Sequence, residues 1–195
     1  MATSAQARRW AKTGATRQRI LDAATEVFAT RGFTAATMAD VVAGSGASIG
    51  SIYHHFGGKN ELFLAIFEQM ATAVDRRIEA AMQKAGEGAD PRRIFELHVR
   101  AYLETMWENR GLARVLTSGD APPGFEVTRR DRMQAAFRNW MAVLELDKSV
   151  RGQLLSRILV ATMAESSLMV AGCENPDDVP AITDATIEWI DRLTE

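Results

Sequence analysis

Apolar residues along the 195-residue chain recur three and four positions apart almost throughout, and alternating strand patterns are nearly absent. The spacing predicts a first helix from about Thr16 to Arg31, with Ile20, Ala24, Val27 and Phe28 on one face and Gly32 ending it. A short second helix is expected from Thr37. Its hydroxyl can cap the helix, and Asp40 three residues on completes a capping-box-like pair. Met38, Val41 and Val42 form its apolar stripe, and Gly44–Ser45–Gly46 ends it. Ser48 caps a third helix that stops near Phe56, with Ala47 and Ile52 at the two positions of a hydrophobic staple. A long fourth helix carries Leu62, Phe63, Ile66, Phe67, Met70 and Val74.

The segment "KAGEGADP", Lys84 to Pro91, breaks the pattern as a loop. Asp90 is expected to cap, and Pro91 to open, a helix reaching about Arg110. Gly119 to Gly124 forms the next break, after which Met133, Phe137, Trp140, Met141 and Leu144 line one helix face. Two further helices, roughly 150–171 and 180–193, flank the polar "CENPDD". The expected fold class is therefore all-α.

Composition adds only a few limits. With 47% hydrophobic and 25% charged residues the chain reads as an ordinary globular protein. The lone Cys173 excludes an internal disulfide framework and fits a reducing compartment. Arginines near the N-terminus are followed by no apolar stretch of the secretory kind, and no run is expected to reach the roughly 18 apolar residues of a membrane span. The expectation is a cytoplasmic protein. Charge is more telling. Residues 1–60 hold seven basic side chains (Arg8, Arg9, Lys12, Arg17, Arg19, Arg31, Lys59) against three acidic ones, whereas the remainder is net acidic within an overall charge of −2. A basic head on an acidic body suggests that a polyanion would be met by the first third.

The chemistry concentrates in "GSGASIGSIYHHFGGK", Gly44 to Lys59, with five glycines, two adjacent histidines and a lysine. A dinucleotide fingerprint requires G-x-G-x-x-G after a strand; here Ile49 takes the third glycine position and a capped helix precedes it. A P-loop fails because Tyr53 stands at its first glycine and Asn60 follows Lys59. His54 and His55, one residue apart on a helix, do not converge on one ion, and His98 is the only other histidine, so no metal and no cofactor are expected. Two short helices joined by a glycine-containing turn fit a helix-turn-helix, whose second helix enters the DNA major groove. Ile49, Ser51, His54 and His55 then point outward, with Tyr53 toward the flank, and Gly50 removes bulk where DNA would approach. Lys59 at the next helix start would anchor a phosphate. Ile52 and Phe56 read as core. Ile49 is open to either reading, core or a contact with a thymine methyl.

Residues Arg17 to Phe63, "RQRILDAATEVFATRGFTAATMADVVAGSGASIGSIYHHFGGKNELF", resemble the DNA-binding domain of the TetR family of bacterial transcription regulators. The ILDAA…F…GF opening, the T-x-x-D-V start of the second helix and the G-S-I-Y-H-H-F-x-x-K-x-E-L signature carry the likeness. The resemblance implies an N-terminal three-helix DNA-binding domain and a C-terminal helical ligand-binding and dimerisation domain. Subunits would pair through the last two helices, and a palindromic operator would be released when a small effector binds. Carried over by position, Thr37 and Ser48 match backbone-approaching sites, and Ile49, Gly50 and Ser51 match those nearest base edges. Tyr53, His55 and Lys59 match phosphate contacts, while His54 falls where such proteins vary. Ala47 departs from the valine common at its place. The implied boundaries are an arm over 1–15, a head over 16–58 and a body over 59–195.

The body carries no nucleophile motif, and no enzyme activity is expected. Its helix from Val150 is apolar nearly all round, which asks for two buried faces, one of them against a second copy. Leu155, Leu159, Ile182 and Trp189 are the interface candidates. His98, Tyr102, Met106, Trp107, Phe137, Trp140, Met141 and Met163 could line a pocket for a hydrophobic effector, or simply fill the core. The functional expectation is a homodimeric DNA-binding regulator, a repressor answering to a small molecule. The alternative is a helical ligand-binding protein or enzyme with a vestigial DNA head.

Overall fold

The computed structural model describes residues 4–86, 88–143, 147 and 149–194, of which 4–12 and 136–143 are described as backbone only. Phe137, Trp140 and Met141 therefore lie outside the described side chains, and Leu144 outside the described residues. Among the described residues there are nine helices and no strand. They are α1 (Ser4–Ala35), α2 (Met38–Ser45), α3 (Ile49–Phe56), α4 (Lys59–Ala85), α5 (Pro91–Glu108), α6 (Arg110–Thr117), α7 (Phe125–Val143), α8 (Val150–Gly172) and α9 (Asp178–Thr194). The chain forms two compact units, one of Met1–Gln69 with Val115–Pro123, the other of Met70–Arg114 with Gly124–Glu195. α4 and α6 each begin in one unit and end in the other.

In the first unit α1 packs against α2 and α3. Ile20, Leu21, Ala24 and Phe28 of α1 are buried together with Val41, Ile52, Phe56, Leu62, Phe63 and Ile66. Phe28, Phe33 and Phe63 meet with ring centroids 5.3 to 5.8 Å apart. These separations and their tilted or edge-on planes suit the quadrupoles of aromatic rings. Gly32 ends the regular part of α1 with φ 75° and ψ 165°, a conformation that a side chain would strain. The helix starts at Ser4, not near Thr16, so the segment expected as an arm is helical over 4–15. Its alanine, glutamine, arginine and lysine content explains the difference. These residues lose little entropy in a helix, enough to carry it through Gly14 at a cost of about 1 kcal/mol.

In the second unit α5, α7, α8 and α9 pack on one another. Phe95, Val99, Leu103 and Met106 of α5 are buried, as are Leu159, Met163 and Val170 of α8 and Val179, Ile187 and Ile190 of α9. The Ser166 and Thr186 hydroxyls join α8 to α9 at 2.8 Å, and Arg114 Nε donates to Ala171 O at 2.9 Å. Two local expectations change. Pro91 opens α5, but the side chain of Asp90 makes no capping hydrogen bond. The chain after α5 also re-forms a helix, α6, whose Ala113, Val115 and Leu116 are buried. Leu112, Ala113, Val115 and Leu116 carry the helical spacing that signals it.

α8 also departs from the expected absence of a membrane-length segment: by length and composition it could cross a bilayer, with mean hydropathy 1.5. The interruptions at Arg151, Arg157 and Glu165 hide this from a search for unbroken apolar runs. Here the helix packs against α5, α7 and α9 and buries Leu159, Met163 and Val170.

Candidate nucleic-acid interface

The α2–turn–α3 segment is fixed by its own polar residues. Asp40 N donates to Thr37 Oγ1 at 3.2 Å, while Thr37 N and Thr37 Oγ1 donate to Asp40 Oδ2 at 2.9 and 2.7 Å, a complete capping box. The Asp40 carboxyl is held below its ordinary range, first by the Thr37 hydroxyl, then by the Thr37 N–H, with the Arg31 guanidinium adding its charge. Arg31 Nη1 lies 2.9 Å from Asp40. Gly46 closes α2 at φ 66°, in the left-handed region, and its N–H donates to Val42 O. Ser48 caps α3 by accepting from Ser51 N at 3.1 Å. The staple positions Ala47 and Ile52 are both buried.

Capping and burial together set which face of α3 is free. Ile52 and Phe56 are in the core, and helical spacing puts Gly50 and His54 opposite them. Ile49 and Tyr53 are 47% and 51% exposed, so the open choice for Ile49 falls on the surface side. His54 is exposed, and Ser51 and His55 are half-buried. A Cβ built on Gly50 meets nothing within 4 Å. Nothing inside the chain therefore requires a glycine there, although glycine costs a helix about 1 kcal/mol against alanine. The face offers two apolar groups, hydroxyls, imidazoles and a bare stretch of backbone, which is chemistry suited to a groove.

Lys59 departs from expectation. It is the first residue of α4, but its Nζ donates back to Thr34 O at 3.2 Å and sits 4.5 Å from the Phe33 ring centroid. Thr34 is also met by Asp120, 86 residues beyond it in sequence, from the α6–α7 loop that belongs to the same unit. Thr34 N donates to both Asp120 oxygens at 3.1 Å, and Thr34 Oγ1 donates at 2.5 Å. The Thr34 hydroxyl and then its N–H hold the Asp120 carboxyl below the ordinary range, and the Lys59 charge acts in the same direction. No local spacing in the sequence links residues so far apart. Only the acidic Asp120 in a Gly/Pro loop was available as a hint.

Comparison with known proteins agrees with this geometry. Residues 20–66 match the family model described as bacterial regulatory proteins, tetR family. The HTH-type transcriptional regulator LmrA of Bacillus subtilis (strain 168) is 25% identical over 160 residues, covering 82% of this chain and 85% of LmrA. The HTH-type transcriptional repressor AcnR of Corynebacterium efficiens is 36% identical over 87 residues, 43% of this chain and 46% of AcnR. The crystal structure of the transcriptional regulator FadR from Bacillus subtilis, in complex with stearoyl-CoA, superposes with a TM-score of 0.70 at 18% identity, covering 89% of this chain and 96% of that one. Residues 20–66 are thus a TetR-family DNA-binding segment.

The chain is thus a DNA-binding transcription regulator with a TetR-type helix-turn-helix head and a helical second domain. In that second unit His98 is half-buried, with Nδ1 2.9 Å from Ile94 O of its own helix. Burial pushes the Tyr102 phenol upward against a hydrogen bond with Ser167. Met106 and Met163 are buried, and half-buried Trp107 is covered by the Arg110 guanidinium 4.4 Å from its centroid. Of the four interface candidates, Trp189 is exposed and Leu155 and Ile182 are half-buried. Leu159 is buried inside the chain, because its side of α8 turns toward the core, and so it is unavailable to a partner. The apolar positions that do reach the surface are Val150, Leu154, Ile158, Leu168 and Met169 of α8 and Trp189 and Leu193 of α9. Among the described residues no group of three or more His, Cys, Asp or Glu could hold a metal ion.

Proposed function

We propose that this regulator is a cytoplasmic homodimeric repressor that binds a palindromic operator and leaves it when a hydrophobic small molecule occupies the second unit. The observation that carries the DNA-facing part is the outer face of α3, where Ile49 and Tyr53 are about half exposed beside a Gly50 that no internal neighbour requires. Ile49, Gly50 and Ser51 take the base edges, the isoleucine against a thymine methyl and the serine as donor or acceptor. Thr37, Ser48, Tyr53, His55 and Lys59 take sugar-phosphate contacts, and His54 tunes the flank. Two such helices reach successive major grooves when about 34–36 Å apart.

Pairing through α8 and α9 is supported by the large apolar side chains these helices leave exposed, Leu154, Met169 and Trp189 each above half. The effector is supported by Tyr102, Met106, Trp107 and Met163, aromatic and thioether groups with His98 and Ser167 as the polar ones. The stearoyl-CoA carried by the similar FadR makes a long acyl chain the first class to try. An effector acts by binding the DNA-incompetent state more tightly; coupling of about 1–3 kcal/mol lowers occupancy roughly 5- to 150-fold.

The experiment is selection of bound sequences from random duplex DNA, followed by salt titration of the winner. A palindromic consensus with steep salt dependence is the expected result. A folded, dimeric, ligand-free sample that enriches nothing would overturn the reading. A reporter gene behind the selected site separates repression from activation.

A further inference from the structure

The turn between α1 and α2 is built as an anion cradle. Gly32, at φ 75°, bends the chain where the N–H groups of Phe33 and Thr34 both bond one carboxylate, that of Asp120. The Thr34 hydroxyl adds a further donor, and Lys59 brings its ammonium to Thr34 O at 3.2 Å. The occupant is the chain's own carboxylate: Asp120 takes both Thr34 donors with oxygens that a phosphate could supply equally well. A Cβ at Gly32 would collide with that carboxylate, so the fit is close. The cation that a DNA phosphate would use is therefore already attracted to an internal anion and packed over Phe33 at 4.5 Å.

We infer that Asp120 is a positioning residue for DNA binding: seated in the α1–α2 turn, it draws Lys59 back from phosphate and so sets the affinity of the head. This rests on the phosphate role of Lys59 proposed above. To meet DNA, the ammonium must turn away from Thr34 O and from Asp120, and what it gives up there is subtracted from what the phosphate returns. The loop that carries Asp120 follows α6, a helix that starts in the other unit.

A double-mutant cycle on the full chain tests this, with the selected operator and a random duplex as probes. Asp120→Asn keeps the shape and removes the charge; it should tighten both probes about equally, on the order of threefold to fivefold, the size of an exposed charge pair. In a Lys59→Ala background the same change should give no gain. A gain that survives without Lys59 would reduce Asp120 to a general repulsive charge, and weaker binding by a folded Asp120→Asn protein would make it a staple only; either overturns the inference. Lys59→Ala alone keeps the two readings apart, because an unchanged salt slope sinks the phosphate role whatever Asp120 does. If Asp120→Asn does not fold, acylation of wild-type amines read by mass spectrometry decides instead. Lys59 should react several-fold more slowly than exposed Lys84, and equal rates would overturn the restraint.

Discussion

Two surfaces of this molecule expose large apolar side chains, and they differ in what surrounds them. On α3, Ile49 and Tyr53 stand singly among Ser51, His54, His55 and a bare Gly50. On α8 and α9, Leu154, Ile158, Leu168, Met169, Trp189 and Leu193 are concentrated on two helices that pack together. An isolated apolar group within a polar face suits a hydrated, charged partner with a methyl group to offer, such as a DNA groove. A broad apolar surface suits another apolar surface, and on a symmetric pair the same patch serves both sides. Exposure alone does not distinguish the two partners; the neighbours do.

The sharpest way to break the comparison is a charge on the apolar side. Trp189→Asp or Leu154→Asp should leave helix content intact, since both residues are more than half exposed. It should convert a dimer to monomers in sedimentation. Operator binding should then fall about 10²- to 10⁴-fold through loss of the linked second head. A dimer that survives both substitutions would place the subunit contact elsewhere.

On the DNA side the matching test is Gly50→Ala. With open space around the new methyl, the fold should be unharmed or more stable by up to about 1 kcal/mol in thermal melts. Operator affinity should nevertheless drop at least roughly tenfold, because the methyl stands where a base edge must come close; about 1.4 kcal/mol of lost contact is enough. Stability and binding moving in opposite directions is the signature of a residue kept for a partner. Parallel changes would return Gly50 to the interior.

The same contrast explains what the sequence could reveal. The head was legible because its determinants are local: Thr37 with Asp40, Ser48 with Ser51 and Ala47 with Ile52 lie within one or two helical turns. Periodicity therefore finds the helices and the cap residues directly. The body was legible only as helices. Whether Leu159 faces the core and Leu154 the solvent depends on which side of α8 meets α5, and an all-round apolar helix carries no phase to read. The Thr34–Asp120 contact was invisible for a different reason: it closes 86 residues of chain, and short polar residues in a turn signal only the turn. For the same reason, the sequence alone placed Lys59 at a helix start but not against Thr34 O.

A smaller effect sharpens the reading of α3 itself. Ile49→Ala should keep the capped helix, because the residue is 47% exposed and contributes little to the core. It should cost about 1 kcal/mol on the preferred operator and less on a site lacking thymine at one position, flattening preference there while leaving the salt slope unchanged. Competition binding with single-base variants reads this out. Equal losses on every variant would mean that Ile49 packs and does not read.

The smallest effect is on acid stability, and it again separates the two units. Asp40 and Asp120 both belong to the first unit and both have carboxyls held below the ordinary 3.8 by hydrogen bonds in the folded state. A carboxylate whose folded pKa is depressed binds protons more readily when unfolded. Its stabilising contribution is thus complete above about pH 5 and is lost as pH falls through the unfolded value of 3.8 toward the lower folded one. Melting of the head should accordingly be insensitive to these two groups from neutral pH to about 5, then weaken below 4. Asp40→Asn should flatten that acid limb at the expense of neutral stability, because the amide can no longer accept from Thr37 as an anion, while the Arg31 partner loses its charge pair. Amide exchange at Thr34 and Thr37, whose N–H groups these carboxylates accept, follows each site directly. Protection at Thr34 that persists unchanged down to pH 2 would mean that Asp120 is not what holds that turn.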